Sequence, residues 1–216
     1  MKNHSRTDPS VYRLSFTFGG LLVPETRAVV TSFAETGSWE ETKEKAVEMN
    51  LMGKTRTSSV RRYLREIMSR LSQAYEWEIN VLSNGSSADS DVASVLFCIV
   101  TRYYSVLGDF TEQVVRRRFL DGLRTIDAAL FRAFLNDQEP AHPEIAGLAD
   151  STREKLTTVA MRTLREAGSI VERRPPYALR RPAATAHVQQ LDCRKGTDGD
   201  SMHLLWSDQE IRQCTT

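Results

Sequence analysis

Between residues 58 and 73 the apolar side chains recur every three or four positions, which is the spacing of one face of an α-helix. The apolar stripe consists of Val60, Leu64, Ile67, Met68 and Leu71. The opposite side of the same helix carries Ser58, Arg61, Arg62, Arg65 and Ser69. Because such a helix must bury its stripe against other elements, the rest of the chain has to supply packing partners.

Start and stop signals place two helices before this one. Pro24 suits the first turn of a helix, and Gly37 suits a helix end. Ser38 followed by Glu41 forms a capping-box pattern for a second helix, which we predict over Trp39–Met49. A helical hairpin therefore precedes the amphipathic helix.

A long apolar run lies farther along the chain. Val92 to Val100 is apolar except for Ser94, and a membrane-spanning helix needs about 20 such residues. The run therefore predicts a buried core helix, and we expect no membrane segment. The polar start of the chain lacks the apolar region of a secretory signal, so we expect a cytoplasmic protein.

The remaining patterns are helical with one exception. Helical spacing covers residues 126–135 and 151–167, whereas the arginines around Pro175 and Pro176 suit a short β-hairpin near 170–181. We therefore predict an all-α protein of two packed helical modules with helix-turn-helix-like elements and this one hairpin.

The polar segment Asn84–Ser87 is the natural boundary between the modules. It separates an N-terminal module over 11–83 from a C-terminal module over 88–181. From 182 to 216 the periodicity fades, and we expect a poorly ordered tail.

The net charge of +1 conceals two strongly charged segments. Between Glu35 and Glu48, five glutamates face two lysines, which gives a local charge of −3. Between Lys54 and Arg70, six basic residues face Glu66 alone, which gives a local charge of +5. A phosphate backbone responds to such a local patch and not to the average.

The basic patch is therefore the candidate nucleic-acid site, through contacts to phosphates or base edges. Its members are Lys54, Arg56, Arg61, Arg62 and Arg65, with Ser58 as an auxiliary phosphate donor. Alternatively, these arginines form a solvated face that pairs with the acidic second helix. The connection at 50–57 exceeds the 3–4-residue turn usual in helix-turn-helix motifs, which favours phosphate contact over groove insertion.

Two further arginine groups are secondary candidates for the same chemistry. Arg116 and Arg117 belong to a run of three arginines, which spreads over about 200° of a helix and cannot share one face. Arg173 and Arg174 lie in the predicted hairpin, where they resemble the wing of a helix-plus-wing arrangement.

No catalytic, cofactor or metal site is predicted. His187, Cys193, His203 and Cys214 match no tight ligand spacing for zinc, and the three cysteines suit reduced thiols. Gly53-Lys54-Thr55 lacks the glycine and strand that a P-loop requires before it. We therefore expect a non-catalytic protein without a cofactor.

Parts of the sequence resemble a known family. The run Tyr12–Leu22, then Glu25, and the segment Ser58–Leu64 are similar to the BrxA family, the small A component of bacteriophage-exclusion (BREX) defence systems. The resemblance implies an all-helical cytoplasmic protein that binds double-stranded DNA in a multi-gene phage-defence locus. It also implies a likeness to antitermination RNA-binding folds, which keeps RNA open as a ligand. The tail after Pro182 does not share the pattern.

Two alternatives to DNA binding remain open. The basic face could dock an acidic surface on another BREX protein, or it could bind RNA, since arginine faces serve both nucleic acids. If about five of the candidate side chains contact phosphate, the logarithm of duplex affinity should fall with the logarithm of salt concentration at a slope of about −4 to −5.

Overall fold

The computed structural model describes residues 11–172, 174–195, 200 and 203–214. These residues form a helical protein with one small antiparallel sheet. The α-helices are α1 Val23–Thr36, α2 Trp39–Glu48, α3 Thr57–Leu71, α4 Glu76–Ser83, α5 Asp89–Tyr103, α6 Ser105–Phe110, α7 Arg117–Leu120, α8 Ala128–Gln138, α9 Pro143–Ala146, α10 Asp150–Glu166, α11 Ala186–Lys195 and α12 Asp208–Cys214. A π-helical turn, Thr111–Arg116, joins α6 to α7.

The predicted helical hairpin at the start of the chain is confirmed. Gly37 ends α1 in the left-handed region at φ 68°, which a residue without a Cβ adopts without strain. Ser38 then caps α2, and its hydroxyl accepts a hydrogen bond from the Glu41 amide at 3.4 Å.

The amphipathic helix α3 buries the predicted stripe. Val60, Leu64, Ile67 and Leu71 are buried, and Met68 is half-buried. The stripe packs toward α5, whose apolar run from Val92 to Val100 lies at the centre of the molecule as predicted. Helices α1 and α4 also pack on α5, so the long apolar helix organises the N-terminal packing.

The predicted hairpin is confirmed, and it has an additional partner. Ile170 forms a β-bridge with Leu179, and β2 (Tyr177–Ala178) also pairs antiparallel with β1 (Thr125–Ile126). Residue 126 is therefore in a strand, and α8 begins only after Asp127, whose carboxylate accepts a hydrogen bond from the Leu130 amide. The helical spacing at 126–135 could not reveal a strand of two residues.

The tail differs from the expectation of poor order, within the part that the structure describes. Two helices form there, α11 and α12, and the segment buries apolar side chains that join the main core. These are Val188, Leu204, Leu205, Trp206 and Ile211. The apolar residues stand in a cluster and not at a helical period, so the sequence pattern gave no sign that they are buried.

One contiguous hydrophobic core extends from Tyr12 to Ile211. The N-terminal arm before α1 is extended and buries Tyr12 and Phe16 in it. The predicted boundary at 84–87 lies in the turn between α4 and α5, which pack on each other, and the division into modules stays a prediction. Within the described residues, no single helix is long and apolar enough to span a membrane. Helix α5 and the helical segment Ser105–Leu120 together reach that length and hydrophobicity, but their axes are bent by 114° relative to each other.

Candidate nucleic-acid interface

Four arginines of the candidate site lie at or after the start of α3, with their side chains in solvent. They are Arg56, Arg61, Arg62 and Arg65, and Ser58 is exposed beside them. Among the described residues, none of these guanidinium groups has a carboxylate within 4.0 Å. Within the described residues, the ion pairs of α2 are Lys43 with Glu40 and Lys45 with Glu35, and no glutamate of α2 forms an ion pair with these arginines.

The N-terminal arm holds one of these arginines. The Arg62 guanidinium lies 4.0 Å from the centroid of the Phe18 ring, and Phe18 meets the Tyr63 ring edge-on at 5.3 Å. A cation over an aromatic face is held without losing its charge. The sequence analysis did not assign this role to Phe18, because the contact depends on how the arm folds onto α3.

The start of α3 lacks the acidic first turn found in α1, α2 and α4. The N-cap residue Arg56 makes no side-chain cap hydrogen bond, and the first turn contains no acidic residue. Thr57 and Ser58, whose side chains are of the type that caps helices, both lie inside the first turn. The amides of Ser59 and Val60 bond to the Arg56 carbonyl. The positive end of a 15-residue helix dipole is thus left without a negative side chain, which favours a bound anion.

The loop before α3 is closed by a single side chain. The Asn50 amide group donates to the Lys54 carbonyl and accepts from the Lys54 amide, both at 2.9 Å. Met52 is buried beneath the loop. These contacts fix the direction in which the chain enters α3.

Lys54, the first residue of the predicted site, is engaged elsewhere. Its ammonium lies 2.6 Å from a carboxylate oxygen of Glu25 and 4.1 Å from the centroid of the Tyr63 ring. The pair is only partly exposed. A phosphate would have to displace Glu25, so Lys54 serves the packing of α1 against α3 and not the exposed face.

Arg70 contributes to the sequence charge but not to the surface. It is buried, pairs with Glu66 at 2.7 Å, and donates to the Gly20 carbonyl at 2.6 Å. A Cβ on Gly20 would lie 2.3 Å from a carboxylate oxygen of Glu166, so a side chain there would displace the carboxylate that accepts a hydrogen bond from the Leu21 amide. The exposed basic face is therefore smaller than the local charge of +5 suggests.

The predicted secondary contacts differ in their exposure to solvent. Arg116 is buried, where it donates to the Trp206 carbonyl at 2.7 Å and pairs with Asp208. The prediction that Arg116 contacts a ligand at the surface is therefore wrong. Its neighbour Arg117 is exposed, as the geometry of three successive helical residues requires. Arg174 is exposed as well, and Arg173 lies outside the described residues.

Two further exposed arginines lie near the sheet: Arg124, which the sequence did not indicate, and Arg180, which belongs to the predicted arginine-rich hairpin but was not named as a site residue. Arg124 lies 4.6 Å from the centroid of the Phe119 ring, and Arg180 follows the bridge residue Leu179. The Leu179 amide donates to the Arg124 carbonyl at 2.8 Å, which brings the two segments together. Their proximity results from strand pairing over a long separation, which leaves no local sequence signal.

Comparison with known proteins agrees with this architecture. The crystal structure of an uncharacterized protein from Magnetospirillum magneticum superimposes with a TM-score of 0.72 at 21% identity, covering 89% of this chain and 97% of that chain. A likeness at this level of sequence identity supports the fold and carries no assignment of function.

Two curated relatives carry the description "BREX protein BrxA". The protein from Bacillus cereus (strain H3081.97) is 26% identical over 165 residues, which cover 76% of this chain and 81% of the relative. The protein from Escherichia coli O9:H4 (strain HS) is 26% identical over 156 residues, which cover 70% of this chain and 71% of the relative. The BrxA family model matches residues 10–191, and the chain therefore belongs to the BrxA family.

Proposed function

We propose that this protein is a non-catalytic component of a BREX phage-defence system that binds double-stranded DNA, mainly through the phosphate backbone. The contacts would come from Arg56, Arg61, Arg62 and Arg65, with the Ser58 hydroxyl as an added donor. The system is inferred from the curated relatives, which are described as BREX proteins. Other BREX proteins are accordingly the expected protein partners.

The observation that carries the proposal is that, within the part of the chain that the structure describes, no carboxylate pairs with any of these four arginines. An arginine that pairs with a carboxylate contributes little field to its surroundings, whereas an unpaired one attracts phosphate and releases counterions from it. Guanidinium groups also match phosphate oxygens with two parallel hydrogen bonds.

The uncapped start of α3 supports the same ligand. The amides of Thr57 and Ser58 have no side-chain acceptor at the N-cap, and the adjoining Arg56 is basic. A phosphate placed there would meet amide donors, a hydroxyl and a guanidinium at once. Contacts of this kind position a duplex and carry no base preference.

The exposed arginines near the sheet extend the proposal. Arg117 and Arg174, two of the predicted secondary contacts, are exposed, and so are Arg124 and Arg180. We assign them an auxiliary contact to the same ligand, without base recognition.

The test is duplex binding by the intact protein and by the triple variant Arg61→Ala, Arg62→Ala, Arg65→Ala. The matched control, Arg132→Ala, Lys155→Ala, Arg212→Ala, removes the same charge from other helices. We expect the α3 variant to lose about 100-fold in affinity at moderate salt, from roughly 1 kcal/mol for each phosphate contact. The control should lose less than about threefold, through the change in net charge alone.

Three outcomes would redirect the assignment. Equal losses in both variants would reduce the binding to net charge. No binding by the folded intact protein would favour the docking alternative, in which α3 meets an acidic partner surface. Competition of labelled duplex with structured RNA separates the two nucleic acids, and a stronger effect of RNA would contradict the DNA assignment.

A further inference from the structure

An open groove runs along the surface between α2 and α3. Its apolar lining comes from Val47 of α2 and from Leu64 and Met68 of α3. The cavity measures about 690 Å³, which lies within the range of about 300–1,000 Å³ usual for ligand clefts. Each wall is formed by a single helix, α2 on one side and α3 on the other.

The two rims of the groove carry opposite charges. Glu44 and Glu48 line the α2 side, and Arg61 and Arg65 line the α3 side. No ion pair joins the rims within 4.0 Å among the described residues. Lys43 also lines the α2 side, but its ammonium is bound to Glu40.

The charges exclude a nucleic acid as the ligand that fills this groove. A phosphate backbone lying in it would meet Glu44 and Glu48 on one side, and like charges at close range are unfavourable. An occupant that suits both rims needs an apolar centre, a basic flank toward α2 and an acidic flank toward α3.

We propose that the groove binds an amphipathic helix of a partner protein, whose apolar stripe carries basic residues along one flank and acidic residues along the other. A helix laid into an apolar groove contacts it with residues spaced three and four apart, and the flanking charges set its direction. This inference rests on the shape and charge of the groove, and because Arg61 and Arg65 are also assigned to phosphate, a partner helix and a duplex would compete for them.

A second copy of this chain is a poorer occupant. A two-fold interface would bring the groove of one copy against the groove of the other, and two concave surfaces supply no ridge for either. The complementary charges therefore favour a helix that comes from a different protein.

The experiment uses synthetic helical peptides of 18 residues with a leucine stripe at three-and-four spacing. The first peptide has lysines along one flank and glutamates along the other. The second has the same composition with both charges mixed on each flank, and the third has glutamates on both flanks. Reversal of helix direction exchanges the flanks, so mixing the charges is the appropriate control. Binding is measured by fluorescence anisotropy.

We expect the intact protein to bind the first peptide about tenfold more tightly than the second, from several weak charge pairs at the rims. The variant Glu44→Lys, Glu48→Lys, which leaves the arginines in place, should instead prefer the third peptide. Glu41→Lys, an exposed change on the same helix outside the groove, should keep the original preference. Met68→Lys should weaken all three peptides, since it places an ammonium at the edge of the apolar floor.

Equal affinity for the first two peptides, absence of binding to the folded protein, or an unchanged preference in Glu44→Lys, Glu48→Lys would overturn the proposal. Sedimentation adds one more outcome. A dimer of the intact protein that dissociates in Met68→Lys would assign the groove to a second copy and contradict the partner helix.

Discussion

Two regions of this protein concentrate charge, and they use it in opposite ways. At the N-cap and along α3, four arginines are exposed to solvent, and none has a carboxylate within 4.0 Å among the described residues. Arg102 of α5, in contrast, is largely buried and pairs with Glu78 and Asp200, both of which are buried. The buried histidine His203 completes this second cluster through a 2.7 Å hydrogen bond to Thr101.

The difference lies in the partners and not in the residue type. Burying a guanidinium is costly unless carboxylates and hydrogen-bond acceptors surround it, so the groups around Arg102 are part of the fold. An exposed arginine costs the fold little and stays available to a ligand. Changes in the buried cluster should therefore alter stability, whereas changes on α3 should alter binding.

The largest expected effect is that of Arg102→Met. The substitution leaves Glu78 and Asp200 buried without their cation, and we expect a loss of about 3–5 kcal/mol in the free energy of unfolding. Urea denaturation measures it. The exposed pair of Arg132 with Glu154 provides the control, since Arg132→Met should change stability by less than about 0.5 kcal/mol. Equal losses would remove the distinction between the two kinds of arginine.

A smaller effect should come from the pH dependence of His203. Burial lowers the pKa of His203 from its ordinary 6.5 to about 4, with Arg102 acting in the same direction and Asp200 opposing it. The unfolded chain therefore binds a proton at a higher pH than the folded chain does. Stability is fully present above about pH 6.5 and declines as the pH falls toward 4.

The pH prediction is tested by urea denaturation at pH 7 and pH 5. The intact protein should lose about 2 kcal/mol more than His203→Asn, in which a side-chain amide can still bond to Thr101. An identical loss in the two proteins would contradict the assignment to His203.

The smallest effect is expected for Lys54→Met. The partly exposed pair with Glu25 should contribute about 1 kcal/mol to stability. Because Lys54 is engaged by Glu25, the substitution should leave the salt dependence of duplex binding unchanged. A shallower dependence of duplex affinity on salt concentration in Lys54→Met would mean that Lys54 contacts the nucleic acid.

The sequence predicted those features that depend on neighbouring positions. The spacing of Val60 to Leu71 sufficed for α3, and Ser38 with Glu41 sufficed for the start of α2. Whether an individual basic residue is exposed or engaged by another group depends on distant partners that no local pattern indicates. Glu25 engages Lys54, while Asp208 and the Trp206 carbonyl hold Arg116.

Distant contacts also determine strand β1 and the orientation of Arg62. Thr125 and Ile126 become a strand only because Ala178 and Tyr177 pair with them. The orientation of Arg62 likewise depends on Phe18, which reaches it through the folded N-terminal arm. Helix existence was thus predictable from spacing, while the membership of the binding face required the three-dimensional packing.

The central claim is that four unpaired arginines contact phosphate, and the salt dependence of duplex binding tests it most directly. The four arginines alone predict a slope of about −3.6 for the logarithm of affinity against the logarithm of salt concentration, and each auxiliary contact near the sheet would make the slope steeper by about 0.9. The variant Arg61→Ala, Arg62→Ala, Arg65→Ala should reduce the magnitude of the slope by about 2.7. A slope near zero in the intact protein, or an unchanged slope in the folded variant, would contradict the account.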